Sequence, residues 1–347
     1  MVKSRYSDVG ESRLSGSSKP VAEALGAVQP MGRSSLAAPP KLRAIDKSNH
    51  AFQLTYFDPP PGLERYVLAL FELQYLEGPV FDRHPGALGQ LFLTVRGRAS
   101  AKFGSREDVV EDCPILFNAF DVATPYQADG PFWCLGASLS PYGWAALTQA
   151  SVKEYSNRFM HANELLGDDI DRLHQSLTER RITGELSAEQ ACLELAEWIR
   201  PRLSPIPVLH EDIIYRTLQW LGSSLNPPVE ELLEGTPYSR RQVERLMKRY
   251  FGFAPSGLAR KFRAIRAANL LAEPDLSDEA EAEIADAFFD QPHMIREIRR
   301  FCGYTPSRLG GTEDPLFMRL TNMQNLDRFR PYRAIGTGNK SDGPPLR

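Results

Sequence analysis

The sequence predicts a multidomain α+β protein, β-rich in its amino-terminal half and all-helical in its carboxyl-terminal third. Three observations carry this. Short apolar runs broken by Pro and Gly fill residues 51–140. After Pro141 the apolar period lengthens to that of a helix. Beyond Pro207 one helical pattern occurs twice, 51 positions apart.

Residues 1–48 are rich in Ser, Gly, Ala and Pro, with Tyr6 as their only aromatic residue. So little apolar surface cannot offset the entropy of ordering, and a disordered lead is predicted. From Ala51 the runs Phe52–Phe57, Tyr66–Leu76, Leu91–Val95, Ile115–Phe117 and Phe132–Leu139 read as strands. They are separated at Pro59-Pro60-Pro61-Gly62, Gly78-Pro79, Pro85-Gly86, Gly97 and Gly130-Pro131. Strands this short and closely spaced predict a small antiparallel barrel or sandwich. Leu147, Leu165, Leu166 and Leu173 follow at helical spacing. Ser187–Ile199 is a cleaner helix, with Ala191, Leu195 and Trp198 on one stripe and Ser187 as its N-cap. Residues 49–200 form one predicted unit, for effector sensing or dimerisation, and Pro201, Pro205 and Pro207 mark a linker.

Residues 205–311 form the second predicted unit, followed by a tail, 312–347. Ile214, Leu218 and Leu221 make one helical stripe, and Pro228–Gly235 is a short helix ended by glycine. Ser239–Phe251 is capped by serine. Ser256–Ala272 aligns Leu258, Phe262, Ile265 and Ala268, and Asp278–Phe288 and Gln291–Cys302 complete the set.

The repeated pattern is a polar cap, a basic helix, and a Gly-x-x-Pro stop. Ser239 caps the first copy, which ends at Gly252 and Pro255; Asp290 caps the second, which ends at Gly303 and Pro306. Helical spacing puts Val243, Leu246, Met247 and Tyr250 on the core side of the first copy, and Met294, Ile298 and Phe301 on that of the second. The candidate partner-facing residues are then Arg240, Arg241, Gln242, Glu244, Arg245, Lys248 and Arg249 in the first copy. In the second they are Gln291, Pro292, His293, Arg296, Arg299 and Arg300. A helix about 10–12 Å across fits a DNA major groove of about 12 Å, where arginine is the commonest reader of guanine edges. Net charge is only -3, yet Arg240–Arg266 carries nine bases against one acid, Glu244, so basic charge is concentrated where phosphates would be met. Double-stranded DNA is the predicted partner.

Other chemistries find little support. Cys113, Cys134, Cys192 and Cys302 are scattered without CxxC or histidines at ligand spacing, which argues against a disulfide framework or zinc site. His84 stands alone in the β-rich region, so no metal site, cofactor or catalytic group is predicted. Phosphate-loop, nucleophile-elbow and His-Glu-x-x-His motifs are missing from the sequence. No apolar run approaches the roughly 20 residues that cross a bilayer, and no secretory core precedes residue 30, so a soluble cytoplasmic, nucleoid-associated protein is expected. The alternatives are an enzyme or alkyl-acceptor repair protein, through Cys113, fused to a DNA-binding module, and a module whose basic helices bind an acidic protein.

The stretch Ile284-Ala285-Asp286-Ala287-Phe288-Phe289-Asp290-Gln291-Pro292-His293, closed by Phe301-Cys302-Gly303-Tyr304-Thr305-Pro306, resembles the signature of the AraC/XylS regulators. The resemblance covers Val208 to Leu309 and implies a transcription regulator with a double helix-turn-helix domain. Its recognition helices would start at Ser239 and Asp290 and enter successive major grooves. It also implies a cupin-like amino-terminal domain that senses a small-molecule or protein effector or forms a homodimer. Two features depart from the family. Phe288 stands where glycine is usual, which predicts a distorted second turn, and Glu273–Asp286 carries seven acids and no base. Local charge therefore favours the first unit as the stronger binder.

Overall fold

The computed structural model describes residues 52–272 and 276–309. The predicted disordered lead, the tail and the first three residues of the acidic run lie outside the described residues.

Strands β1 (Phe52–Phe57), β2 (Val67–Tyr75), β3 (Val80–His84), β4 (Gly89–Arg96), β5 (Arg98–Phe103), β6 (Arg106–Glu111), β7 (Pro114–Phe117), β8 (Thr124–Ala128) and β9 (Phe132–Leu139) come first. Helix α1 (Pro141–Thr148), the short strand β10 (Met160–His161) and helices α2 (Asn163–Leu166), α3 (Asp169–Ile182) and α4 (Ala188–Ile199) follow. Every pairing is antiparallel. The strands build a six-stranded sheet, β1-β2-β9-β4-β7-β10, and a four-stranded sheet, β3-β8-β5-β6. The closed barrel considered from sequence is not formed; two antiparallel sheets share a core instead, the sandwich alternative.

The centre of the larger sheet is covered on both faces. Ile170, Leu177, Ala191 and Leu195 of α3 and α4 pack with Val67, Leu91, Leu93 and Leu135 on one side. Phe71, Leu73, Ile115, Phe117 and Phe132 meet Ala99, Val110 and Ala128 of the smaller sheet on the other. Gly136 lies opposite Phe71 in register, and a Cβ there would come within 2.3 Å of the Phe71 ring. Only glycine lets that ring lie flat on the strand. Ser187 caps α4 in a reciprocal box with Gln190, as the sequence predicts.

After one 3-10 turn at Arg200–Arg202, the chain enters α5 (Val208–Leu221), α6 (Val229–Leu233), α7 (Arg240–Phe251), α8 (Pro255–Ala272), α9 (Asp278–Ala287), α10 (Gln291–Cys302) and α11 (Pro306–Leu309). The predicted linker is packed down: Ile206 is buried, and the Ser204 N–H donates to Ala146 O at 2.9 Å. Tyr142, Ala145 and Ala146 of α1 belong to the same apolar core as Ile213, Ile214 and Met247, so α1 bridges the β-rich region to the helical one.

Candidate nucleic-acid interface

Helices α6 and α7, and then α9 and α10, form two short-helix, turn, basic-helix units joined by α8. Ser239 caps α7: its hydroxyl accepts the Gln242 N–H, and the Gln242 side chain accepts the Ser239 N–H at 2.9 Å. Asp290 caps α10 by accepting the His293 N–H at 2.6 Å. Both helices stop in the left-handed region, at Gly252 (φ 81°) and Gly303 (φ 89°), where a side chain would be strained.

The division of faces follows the sequence reading. Val243, Leu246, Met247 and Tyr250 are buried on α7, and Met294, Ile298 and Phe301 on α10. Arg240, Arg241, Gln242, Arg245 and Lys248 are exposed on α7, with Glu244 half-buried; on α10 Pro292, Arg296, Arg299 and Arg300 are exposed. Arg240 has Glu230 and Glu244 each at 3.8 Å. Gln291 and His293 are half-buried, and the His293 ring meets the Phe288 ring edge-on.

Two candidates differ from the expectation. The Gln242 carbonyl oxygen is engaged by the cap, which leaves its amide N–H groups outward. The Arg249 guanidinium turns away from the others and donates to Gln149 O at 3.0 Å, because α1 packs against the end of α7. The turn of the second unit is not distorted at Phe288: its backbone is extended (φ −124°, ψ 147°), a conformation open to any residue, and its ring is buried.

Charge is distributed differently from the sequence count. Of the nine bases between Arg240 and Arg266, four on α8 face inward or pair. Lys261 and Arg266 are both 1% exposed. Arg266 donates to Leu221 O and Ser224 O at 2.7 Å, and burial pulls its pKa down to about 10. Arg260 and Arg263 lie against the buried Glu297 of α10. Burial pushes the Glu297 carboxyl up, but its bonds with Arg260 and the charges of Arg260, His293 and Arg263 together hold it below the ordinary value. The positive face of α7 therefore rests on four exposed bases, Arg240, Arg241, Arg245 and Lys248, against the three exposed arginines of α10.

Sequence reading passed over three residues here. Glu297 looked like one more surface acid and is a core anchor. Lys261 looked like a phosphate contact and is buried. Phe289, 92% exposed, stands in the turn directly before the Asp290 cap. Its signal was the Phe288-Phe289 pair, of which an extended turn can send only one ring inward.

In the β-rich region a cavity of about 50 Å³ lies between the sheets, lined by Phe92, Phe117, Phe132 and Phe159 with Tyr75, Tyr126 and His84. The Tyr75 and Tyr126 hydroxyls pair at 2.5 Å. His84 accepts the Gly86 N–H on Nδ1, and burial, reinforced by the charge of Lys261, lowers its pKa to about 3, so the ring is neutral. No His, Cys, Asp and Glu cluster suited to a metal occurs among the described residues, and none of their helices is long and apolar enough to cross a membrane.

A family model described as a helix-turn-helix domain matches residues 232–310. The chain is 28% identical over 200 residues to the HTH-type transcriptional regulator GbdR of Pseudomonas aeruginosa, a match covering 55% of this chain. It spans about half, 52%, of that relative's length. Among solved structures, ToxT from Vibrio cholerae is similar over 75% of this chain and 98% of its own, at 9% identity and a TM-score of 0.41. A cupin superfamily protein from Desulfitobacterium hafniense covers 27% of this chain and 83% of its own, at 12% identity and a TM-score of 0.21. Two capped and glycine-stopped basic helices joined by α8, with a family match over both of them, show that the carboxyl-terminal region of this chain carries a helix-turn-helix domain.

Proposed function

We propose that this protein is a sequence-specific DNA-binding transcription regulator whose helices α7 and α10 read successive major grooves. The observation that carries the proposal is the doubled unit: a side-chain cap and a glycine stop on each helix, apolar faces buried, and Arg241, Arg245, Lys248, Arg296 and Arg299 left to solvent. The first four or five residues of each helix would contact base edges and the flanking arginines would contact phosphates. Control is assigned to the β-rich region; its aromatic cavity of about 50 Å³ is apolar but would have to widen to admit an effector. The family adds a homodimer and a cytoplasmic, nucleoid-bound location, which sedimentation and fractionation would check. An alkyl-acceptor role for Cys113 is disfavoured, because burial pushes its thiol up, away from the reactive thiolate.

Selection of bound duplexes from a random library by the full chain, followed by titration at several salt concentrations, tests the proposal. Enrichment of one bipartite sequence is expected, with log affinity falling against log salt by about 0.9 per phosphate contact. Enrichment of no sequence, or affinity independent of salt, would overturn it.

A further inference from the structure

The two recognition helices are held at equivalent atoms. The carbonyl oxygen of Arg249, three residues before Gly252, accepts the Val152 N–H at 2.7 Å. The carbonyl oxygen of Arg300, three residues before Gly303, accepts the Ala123 N–H at 2.9 Å. Both donors belong to the β-rich region, and both acceptors are last-turn carbonyls that a helix cannot satisfy itself. The stops are seated there too. A Cβ on Gly252 would meet Ala119 and Val152 at 3.0 Å, and one on Gly303 would meet the Arg83 side chain at 2.6 Å. Tyr304, just past the second stop, donates its hydroxyl to Asp82 at 2.6 Å.

The donors are themselves joined. The Asp121 N–H donates to the Asn157 side chain at 2.7 Å, the Asn157 amide returns a bond to the Asp121 carboxylate at 2.8 Å, and the Asn157 N–H donates to Ala119 O. Loop 119–123 and segment 152–157 thus form one frame. Between the two units, Lys261 of α8 reaches the same frame. Its Nζ donates to Pro85 O at 2.8 Å and to Gly86 O and Phe120 O at 2.6 Å, so each ammonium N–H meets one carbonyl.

We propose that this frame positions α7 and α10 relative to one another and so sets the spacing between the two DNA segments the protein reads. The inference rests on the DNA-reading proposal above and adds a role for Lys261, Asn157 and Tyr304 as positioning residues. The contacts grip only the carboxyl-terminal ends of the helices, and their amino-terminal halves, which meet bases in this geometry, stay free. One base pair moves the second site by about 3.4 Å along the duplex, far more than a rigidly held helix tolerates. Without the frame, α8 alone would connect the units and the separation would vary.

The test uses the full chain and its selected bipartite duplex, with the two halves at their preferred separation or one base pair nearer or farther. The wild-type protein should favour the preferred separation by about tenfold or more. Lys261→Met should retain its folded circular-dichroism spectrum and its affinity for an isolated half-site, while the spacing preference falls to about threefold or less. Tyr304→Phe removes one hydroxyl and should lower the preference in the same direction; it decides the matter if Lys261→Met does not fold. A folded variant with the wild-type spacing profile would overturn the positioning role alone. Failure of the wild-type chain to bind any duplex would overturn the DNA-reading proposal, and this one with it.

Discussion

Arg260 of α8 and Glu297 of α10 are joined by two parallel hydrogen bonds, with the carboxylate 3% exposed and the guanidinium nearly half exposed. The pair ties α10 to α8, the helix that joins the two units. Its two members are unequal: Arg260 can return to water if released, whereas Glu297 cannot. Arg260→Met should therefore destabilise the protein by about 1.5–3 kcal/mol, the scale of a hydrogen bond to a charged group lost in a buried site. Glu297→Met should cost less. Urea unfolding of both variants checks the order; a larger loss from Glu297→Met would show that the pair is held by attraction and not by the confinement of the acid.

Arg241→Ala and Arg245→Ala should each weaken specific binding by about 1–3 kcal/mol, the scale of one good base contact. Neither should alter the circular-dichroism spectrum or the melting temperature, because both side chains are exposed. Val243 is fully buried, and Val243→Asp should unfold the first unit by placing a charge in its core. Equal melting temperatures for all three variants would reverse the assignment of faces.

The two units should bind DNA more equally than local sequence charge implies. Four of the bases counted toward the first unit are turned inward or paired on α8, so Arg245→Ala and Arg296→Ala should differ by less than about 1.4 kcal/mol, tenfold in affinity. The acids of α9 are unlike one another too. The Glu283 carboxylate accepts the Leu225 N–H at 2.8 Å and faces Arg266, so Glu283→Gln should lower stability. Glu279→Gln with Glu281→Gln should instead raise non-specific duplex binding, with only a small loss of stability from the exposed first turn of α9. Titrations on the selected and on random duplexes would distinguish the three; a gap above tenfold between the arginine variants would restore the first unit as leader.

Lys261 predicts a pH dependence of stability. Burial pulls its pKa down to about 7, from an ordinary 10.5; Asp121 and Cys302 oppose this, and the facing His84 is neutral. Between those values the unfolded chain holds a proton that the folded one has released, so this group stabilises the folded state progressively as pH rises from about 7. Below about 7 its contribution is flat and least favourable. The stability of the wild-type protein relative to Lys261→Met should accordingly increase from pH 7 to pH 9 in parallel urea titrations. A constant difference would mean that the three carbonyls hold the ammonium at its ordinary value.

Much of the fold was legible in the sequence, and where it was not, the reason is burial. All five strands read from apolar runs belong to the six-stranded sheet, whose central strands β2, β9, β4 and β7 are covered on both faces and so read as nearly continuous apolar runs. All four strands of the smaller sheet escaped, because one face meets water and strands such as Arg106–Glu111 are mostly polar. Helix caps and stops at Ser187, Ser239, Asp290, Gly252 and Gly303 were readable because they depend on backbone groups a few residues away.

The doubled unit, its buried stripes and its exposed arginines were determined by sequence alone, because helical period and local capping depend only on near neighbours. Which charges reach solvent was decided by tertiary structure. Lys261, Arg266 and Glu297 look like surface residues in the chain and find their partners 176, 45 and 37 positions away. A charge leaves water only where distant groups replace its hydration. Such groups are brought together by packing across α8, α10 and the loops of the β-rich region, which no local pattern in the sequence records.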